Sequence, residues 1–375
     1  MSAASFSRRT LLAGAAALRA RQPAETLRFG RKIRVALIGL EGHTAEILRP
    51  LPRLPEVEVA AVADPDEKAL AAIGRNPRLK SARTYTDYRR LLEREQLDVA
   101  AVCGPNGGRA ERILAAIERG LHVVAEKPLA IELEELDRIE RALKGGRVRL
   151  SMLLPMRFSP PYLALKQVVD SGEIGEVAQI AAQKSYKLGE RAAWYRRRRS
   201  YGGTILWIGI HMVDLMRWTS GREFTEAVSF QTVFGPPDLG EMETVTGTLF
   251  RLDNGGAGLL RMDYLRPQTA PTHGDDRLRL AGSKGIAEYQ AATGVTVMSE
   301  TSKPRVLEEL PAERSLFVDF LESVYLGKAP GLSLADIVRV NRIVLLARAS
   351  AEQGRIVRLG CNSDSRNDPS AGLRG

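Results

Sequence analysis

The sequence predicts an α/β protein of two domains, a doubly wound parallel sheet followed by an α+β domain on a mostly antiparallel open sheet. Three observations carry this. Up to about residue 155, short apolar runs alternate with amphipathic stretches of helical length, the pattern of a parallel sheet with crossover helices. Beyond residue 156 strands dominate, and Asp253-Asn254-Gly255 is a hairpin signal between two of them. A chain of 375 residues is long enough to bury two cores.

The first strand, Arg34 to Ile38, ends in the turn Gly39-Leu40-Glu41-Gly42-His43-Thr44. A helix from Ala45 is cut short near Arg49, because Pro50, Pro52 and Pro55 lack amide hydrogens and clash with a preceding turn. Val57 to Ala63 is the second strand, closed by Asp64, and helices follow from Pro65 to Ile73 and, capped by Thr84 to Asp87, to Glu95. Asp98 to Cys103 is a strand turning at Gly104-Pro105-Asn106 into a helix that Gly120 stops. Leu121 to Ala125 ends in Glu126-Lys127-Pro128, then come a helix over Glu132 to Leu143 and a strand over Val148 to Leu154.

The second domain opens with a helix from Tyr162 to Val169 and a strand reaching Tyr186. A helix is expected over 208–218, and strands over Val228–Phe234, Glu243–Arg251, Gly256–Tyr264, Leu278–Ala281, Gly285–Tyr289 and Gly294–Met298. Helices Arg314–Leu326 and Leu334–Glu352 close the fold. The expected divisions are 1–30, an N-terminal arm or signal; 31–155; 156–360; and 361–375, a polar, disordered tail.

Composition narrows the function. Hydrophobic residues are 44% and charged residues 27%, as in an ordinary folded domain, and no apolar run approaches the ~20 residues of an integral membrane span. The net charge of +10 comes without zinc-finger spacing, RNA-binding aromatics or a recognition-helix pattern, so no nucleic acid is expected. A basic surface or a preference for anionic substrates accounts for it. Two cysteines and four histidines without a carboxylate–histidine cluster predict no metal site. Ser7-Arg8-Arg9-Thr10-Leu11-Leu12 before an alanine-rich stretch resembles a twin-arginine export signal. Arg19 and Arg21 stand against it, and the alternative is a cytoplasmic protein with an uncleaved arm.

Strand, glycine turn, helix, strand and terminal acid form the Rossmann dinucleotide-binding pattern. Glycines permit a tight turn and close backbone approach to a pyrophosphate, and Asp64 suits the ribose diol of NAD while repelling the extra phosphate of NADP. This copy is altered, since Glu41 and Thr44 stand where glycines are expected. A Glu41 carboxylate facing the pyrophosphate would cost on the order of 1–3 kcal/mol, so the side chain is expected to point outward. Candidate cofactor contacts are Gly39, Leu40, Glu41, Gly42, Asp64, Pro105, Asn106, Glu126 and Lys127.

Further blocks occur in order: Gly120 to Pro128, Arg157-Phe158, Gly172-Glu173-Ile174-Gly175 and Gly202-Gly203-Thr204 leading to His211-Met212-Val213-Asp214. Together with the opening turn they resemble the Gfo/Idh/MocA oxidoreductases, glucose–fructose oxidoreductase and inositol dehydrogenase among them, over about residues 31 to 358. The resemblance implies a nicotinamide cofactor, a sugar, sugar acid or cyclitol substrate, and a homo-oligomer built through the C-terminal sheet. It makes Lys127 and His211 the catalytic pair that takes the hydroxyl proton and steadies the alkoxide.

Each assignment has a plainer alternative. Glu126-Lys127 also reads as a surface ion pair, and His211, after Trp207-Ile208-Gly209-Ile210, as a core histidine. His43, His122 and His273 read as structural or surface residues. Many relatives carry an aspartate where this chain has Trp207, so the orienting carboxylate is missing; Trp207 offers a sugar-stacking face or plain core packing. Asp214 reads as helix-positioning or catalytic, and Arg157 as a substrate contact. Trp194-Tyr195-Arg196-Arg197-Arg198-Arg199 is either a solvated face or a loop whose arginines, Arg197 foremost, clamp an anion. Three functions compete: an NAD-dependent oxidoreductase, an NAD-using glycosidase working by oxidation and elimination, and a catalytically reduced cofactor-binding homologue.

Overall fold

A computed structural model of the chain describes residues 26–360. The twin-arginine segment and the C-terminal tail lie outside them. The first domain runs β1 (Ile33–Ile38), α1 (Thr44–Leu48), β2 (Val57–Ala63), α2 (Glu67–Ala72), β3 (Arg83–Tyr85), α3 (Tyr88–Arg94), β4 (Val99–Val102), α4 (Arg109–Glu118), β5 (His122–Ala125), α5 (Leu133–Leu143) and β6 (Leu150–Met152). Its sheet has the order β3-β2-β1-β4-β5-β6, parallel throughout, with the order reversing beside β1. Ligands of such sheets bind outside the carboxyl ends of the strands at that reversal, where the Gly39 turn and Asp64 lie. β1, β4 and β5 are almost wholly buried, as strands covered by helices on both faces must be. Side chains of Asp66 and Asp87 accept from Lys68 and Arg89 backbone N–H groups and start α2 and α3.

The second domain contains α6 (Pro160–Asp170), β7 (Val177–Tyr186), α7 (Arg198–Tyr201), α8 (Thr204–Trp207), α9 (Gly209–Ser220), β8 (Phe224–Thr232), β9 (Val245–Leu252), β10 (Ala257–Asp263), β11 (Gly274–Gly282), β12 (Gly285–Gln290), β13 (Gly294–Ser299), β14 (Ser302–Val306), α10 (Leu316–Tyr325), α11 (Leu334–Gln353) and β15 (Val357–Arg358). Its sheet runs β14-β13-β12-β11-β7-β10-β9-β8-β15, and only the β10–β7 pair is parallel. Helices α6, α9 and α11 cover one face. Across the other face Leu249, Leu259, Ala181 and Arg279 stand in one cross-strand row, uncovered. Among the described residues no helix is long and apolar enough to cross a membrane.

Three local expectations are corrected. β3 and β14 were not anticipated: β3 is three residues long, and β14 is an exposed edge carrying Pro304, so neither has an apolar alternation to read. β8 begins at Phe224 rather than Val228, because Gly221, at φ +67°, turns the chain from α9 directly into the sheet. The helix expected over 208–218 is α9, and an unexpected short helix, α8, precedes it and ends before Ile208, leaving the Trp207 carbonyl to accept from Lys127.

α11 ties the domains together. The Asn341 side chain accepts from the Leu129 N–H at 2.9 Å, and Arg348 donates to the carbonyls of Ile131 and Gly202. Arg342 reaches Asp137 and Glu140 on α5. The segment after Lys127-Pro128, whose peptide bond is cis, is thus anchored to α11.

Candidate active site

The site grows from the ends of β1, β2, β4 and β5. Gly39 has φ +88°, and a Cβ there would lie 2.6 Å from the Cys103 carbonyl carbon, so only glycine lets the turn pass over β4. The Asp64 carboxylate accepts from the Leu40 N–H and the Asp66 N–H, each at 2.9 Å, which fixes it at the mouth of the turn. A bare, close-packed glycine turn with an anchored acid beside it suits the pyrophosphate and ribose of a dinucleotide.

Gly42, at φ +94°, has the same crowding from another side: a Cβ would lie 2.8 Å from Glu126 Oε2. That carboxylate is fully buried, accepts from the His43 N–H at 2.8 Å and meets His43 Nδ1 at 2.8 Å. Burial opposes its charge, but His43, Lys127 and Arg109 outweigh burial and hold its pKa at about 2. Both oxygens are turned to His43, so Lys127 Nζ stands 3.9 Å away. Lys127 instead donates to the Trp207 carbonyl at 2.8 Å and lies 3.1 Å from the Trp207 ring centroid. Burial, and after it the charges of Arg109, Lys184 and Arg191, bring its pKa down to about 7 against the pull of Glu126.

His211 is buried on α9, its ring 5.5 Å from and nearly perpendicular to that of His43. Its Nδ1 has no hydrogen-bond partner, and burial with Lys127, Lys184 and His43 pushes its pKa well below the ordinary value. Burial and the neighbouring cations thus disfavour the imidazolium form of His211.

The structure brings Lys127, Glu126, His211 and Trp207 together. Trp207 stands in an aromatic wall, edge-on to Trp194 and Tyr195, which stack on each other at 3.9 Å. Asn106 is buried, donates to the Tyr201 carbonyl, and keeps an unpartnered Oδ1. The Pro105 carbonyl accepts from Arg112. Glu41 is exposed, and its Oε2 accepts from Trp194 Nε1 of the second domain at 2.6 Å.

Arg157 and Asp214 lie elsewhere in function. They form a buried ion pair beside α9, with Asp336 at 3.1 Å from Arg157, which commits both side chains to each other rather than to a substrate. Arg197 and Arg199 are exposed, Arg196 pairs with Asp238, and Arg198 pairs with Glu243, so the arginines of the run do not converge on one point. His43, expected to be structural, is instead at the centre of the site. Its contact with Glu126 joins residues far apart in the chain, and no local pattern announces it. Lys184 was also missed, although a lysine in register with inward-facing Ile180 and Ala182 is a readable signal. Among the described residues no group of His, Cys, Asp and Glu could hold a metal ion.

Residues 33–153 match a family model described as an oxidoreductase family with an NAD-binding Rossmann fold, and residues 162–288 match the GFO/IDH/MocA C-terminal domain. The chain belongs to the Gfo/Idh/MocA oxidoreductases. D-xylose 1-dehydrogenase (NADP(+)) 2 of Haloferax volcanii is 27% identical over 86% of this chain and 98% of its own. Myo-inositol 2-dehydrogenase of Thermotoga maritima is 24% identical over 87% of this chain and 98% of its own. A solved oxidoreductase structure from the same organism superposes with a TM-score of 0.82 at 31% identity, covering 87% of this chain and all of that one. In this family member, an NAD-binding Rossmann domain meets the second domain at Lys127 and His211.

Proposed function

We propose that the protein oxidises a secondary alcohol of a sugar, sugar acid or cyclitol, using NAD. The observation that carries this reading is Lys127, an amine buried in the cleft, poised at pKa about 7 and aimed at Trp207 rather than locked to Glu126. Bound NAD supplies the hydride acceptor. Neutral Lys127 takes the hydroxyl proton, and as the ammonium it steadies an alkoxide when the reaction runs backward. His211, whose pKa burial and nearby cations hold down and whose Nδ1 has no partner, offers hydrogen bonding to the same hydroxyl. Relatives named for xylose and inositol support the substrate class. Asp64, held by two backbone N–H groups, supports NAD over NADP even though one relative is named for NADP(+). The glycosidase and reduced-homologue readings are not favoured beside relatives named as dehydrogenases.

The test is NADH formation at 340 nm over a panel of sugars, sugar acids and cyclitols. Turnover that Lys127→Met lowers by about 10²–10⁴-fold supports the reading; aglycone release without net NADH would replace it with the glycosidase. We also propose export through the N-terminal twin-arginine-like segment, supported by Arg8-Arg9 and the alanine-rich stretch. The uncovered sheet face supports a homo-oligomer.

A further inference from the structure

Arg191 lies in the segment between β7 and α7, half-buried against the aromatic wall of the cleft. Its guanidinium sits 4.7 Å from the Tyr264 centroid and 5.4 Å from that of Tyr195. One nitrogen donates to the Lys187 carbonyl at 3.1 Å, while Nε is buried without a hydrogen-bond partner. No carboxylate among the described residues forms an ion pair with Arg191. Tyr195 in turn meets the edge of Trp207, whose ring carries Lys127. On its other side, Tyr264 meets Tyr186, and Lys184 Nζ lies 5.1 Å from the Tyr186 centroid.

Three cations therefore stand along one wall, joined through aromatic rings. Two have a carboxylate: Glu126 stands 3.9 Å from Lys127, and Asp276 accepts from Lys184 at 2.9 Å. Arg191 alone of the three has no carboxylate at ion-pair distance among the described residues. The charges of Lys184 and Arg191 both act on Lys127 and depress its pKa. Leaving a half-buried guanidinium without a counter-ion costs free energy that a bound anion would return.

We propose that Arg191 is the specificity-determining residue of the cleft and binds the carboxylate of a sugar acid, an aldonate or uronate, presented to Lys127. The planar fork pairs with a carboxylate, and Arg191 Nε, buried without a partner beside the Tyr195 and Tyr264 rings, is a donor that such a carboxylate would satisfy. This specifies the substrate class of the oxidoreductase reading and rests on that reading for the chemistry at Lys127. A carboxylate beside Lys127 would also favour its ammonium form.

The full chain is assayed with NAD on D-gluconate, D-glucuronate, D-glucose, myo-inositol and D-glucose 6-phosphate, as wild type, Arg191→Gln and, for comparison, the outward-facing Arg197→Gln. The expected result is a kcat/KM preference for the acids that falls about 10–100-fold in Arg191→Gln and holds in Arg197→Gln. The acidic limb of the pH profile is expected at higher pH on acids than on neutral sugars. Equal losses on acids and neutral sugars, a preference for the phosphate ester, or a loss confined to NAD affinity each overturn the proposal. If no compound is oxidised, calorimetric titration of D-gluconate into the NADH-loaded protein separates the two readings. Binding abolished by Arg191→Gln keeps the anion site and removes the oxidoreductase reading; binding indifferent to Arg191, or absent, removes the anion site.

Discussion

Lys127 is held at a cost to stability. Its amine titrates at about 7 in the fold against an ordinary 10.5, a gap worth on the order of 5 kcal/mol. Because the folded pKa is lowered, the penalty is complete below pH 7 and fades as pH rises toward 10.5. Lys127→Met, which keeps the stem and removes the charge, is therefore expected to raise Tm while abolishing turnover. The gain in Tm should be greatest at pH 6 and nearly gone at pH 10, as calorimetry at both values would report. Glu126 behaves oppositely: with a folded pKa of about 2 against 4.5, its stabilisation is whole above 4.5 and lost as pH falls toward 2. His43 governs the relation between these groups by occupying both Glu126 oxygens. In His43→Leu the carboxylate is free to swing to Lys127, and Arg109, Lys184 and Arg191 still oppose the charge. The acidic limb of kcat/KM for oxidation should then move upward by about one pH unit; an unmoved limb means Lys127 is tuned by burial alone. Lys127, Glu126 and His211 were legible because they sit in blocks that resemble a family. His43 was not, since its role exists only once the turn after β1 lies against the end of β5.

At the level of elements, the glycine turn and the segment carrying Trp194 act as facing edges of one cleft. The Glu41–Trp194 hydrogen bond is exposed and worth about 1 kcal/mol, enough to slow exchange without setting affinity. Glu41→Gly removes both that bond and the nearby negative charge. Stopped-flow tryptophan fluorescence is expected to show NAD entering and leaving several-fold faster, with Kd changed less than about threefold. The turn of α9 that carries Asp214 serves stability instead. Asp214→Ala leaves Arg157 buried with only the more distant Asp336, and about 3 kcal/mol should be lost in denaturant unfolding. Strands β7 to β13 were readable from their alternation, and the parallel sheet from its buried runs. β14 was not, because an edge strand with four exposed residues has nothing to alternate. The short helix α8 ahead of α9 was hidden too, since it ends where a lysine from the other domain takes the Trp207 carbonyl.

Across the whole molecule, the two sheets are unequal in how they meet solvent. The first is covered on both faces; the second is covered on one, and its other face presents Leu249, Leu259 and, farther along β8, the 72% exposed Phe230. Such a patch on a folded protein is an association surface or an aggregation liability. Sedimentation should give a mass above the monomer for wild type, and Leu249→Asp with Leu259→Asp should return the monomer; a monomeric wild type removes the homo-oligomer proposal. The clamp made by α11 has a consequence for synthesis. Chains fold in the order they leave the ribosome, at about 5–20 residues per second. The first domain can close its sheet early, yet the Leu129 N–H and the Ile131 carbonyl wait for Asn341 and Arg348. Those residues emerge on the order of ten seconds or more after β6. Until then the segment after β5 that carries Lys127 lacks its ties to α11, so a nascent chain has the cofactor domain before it has the assembled catalyst.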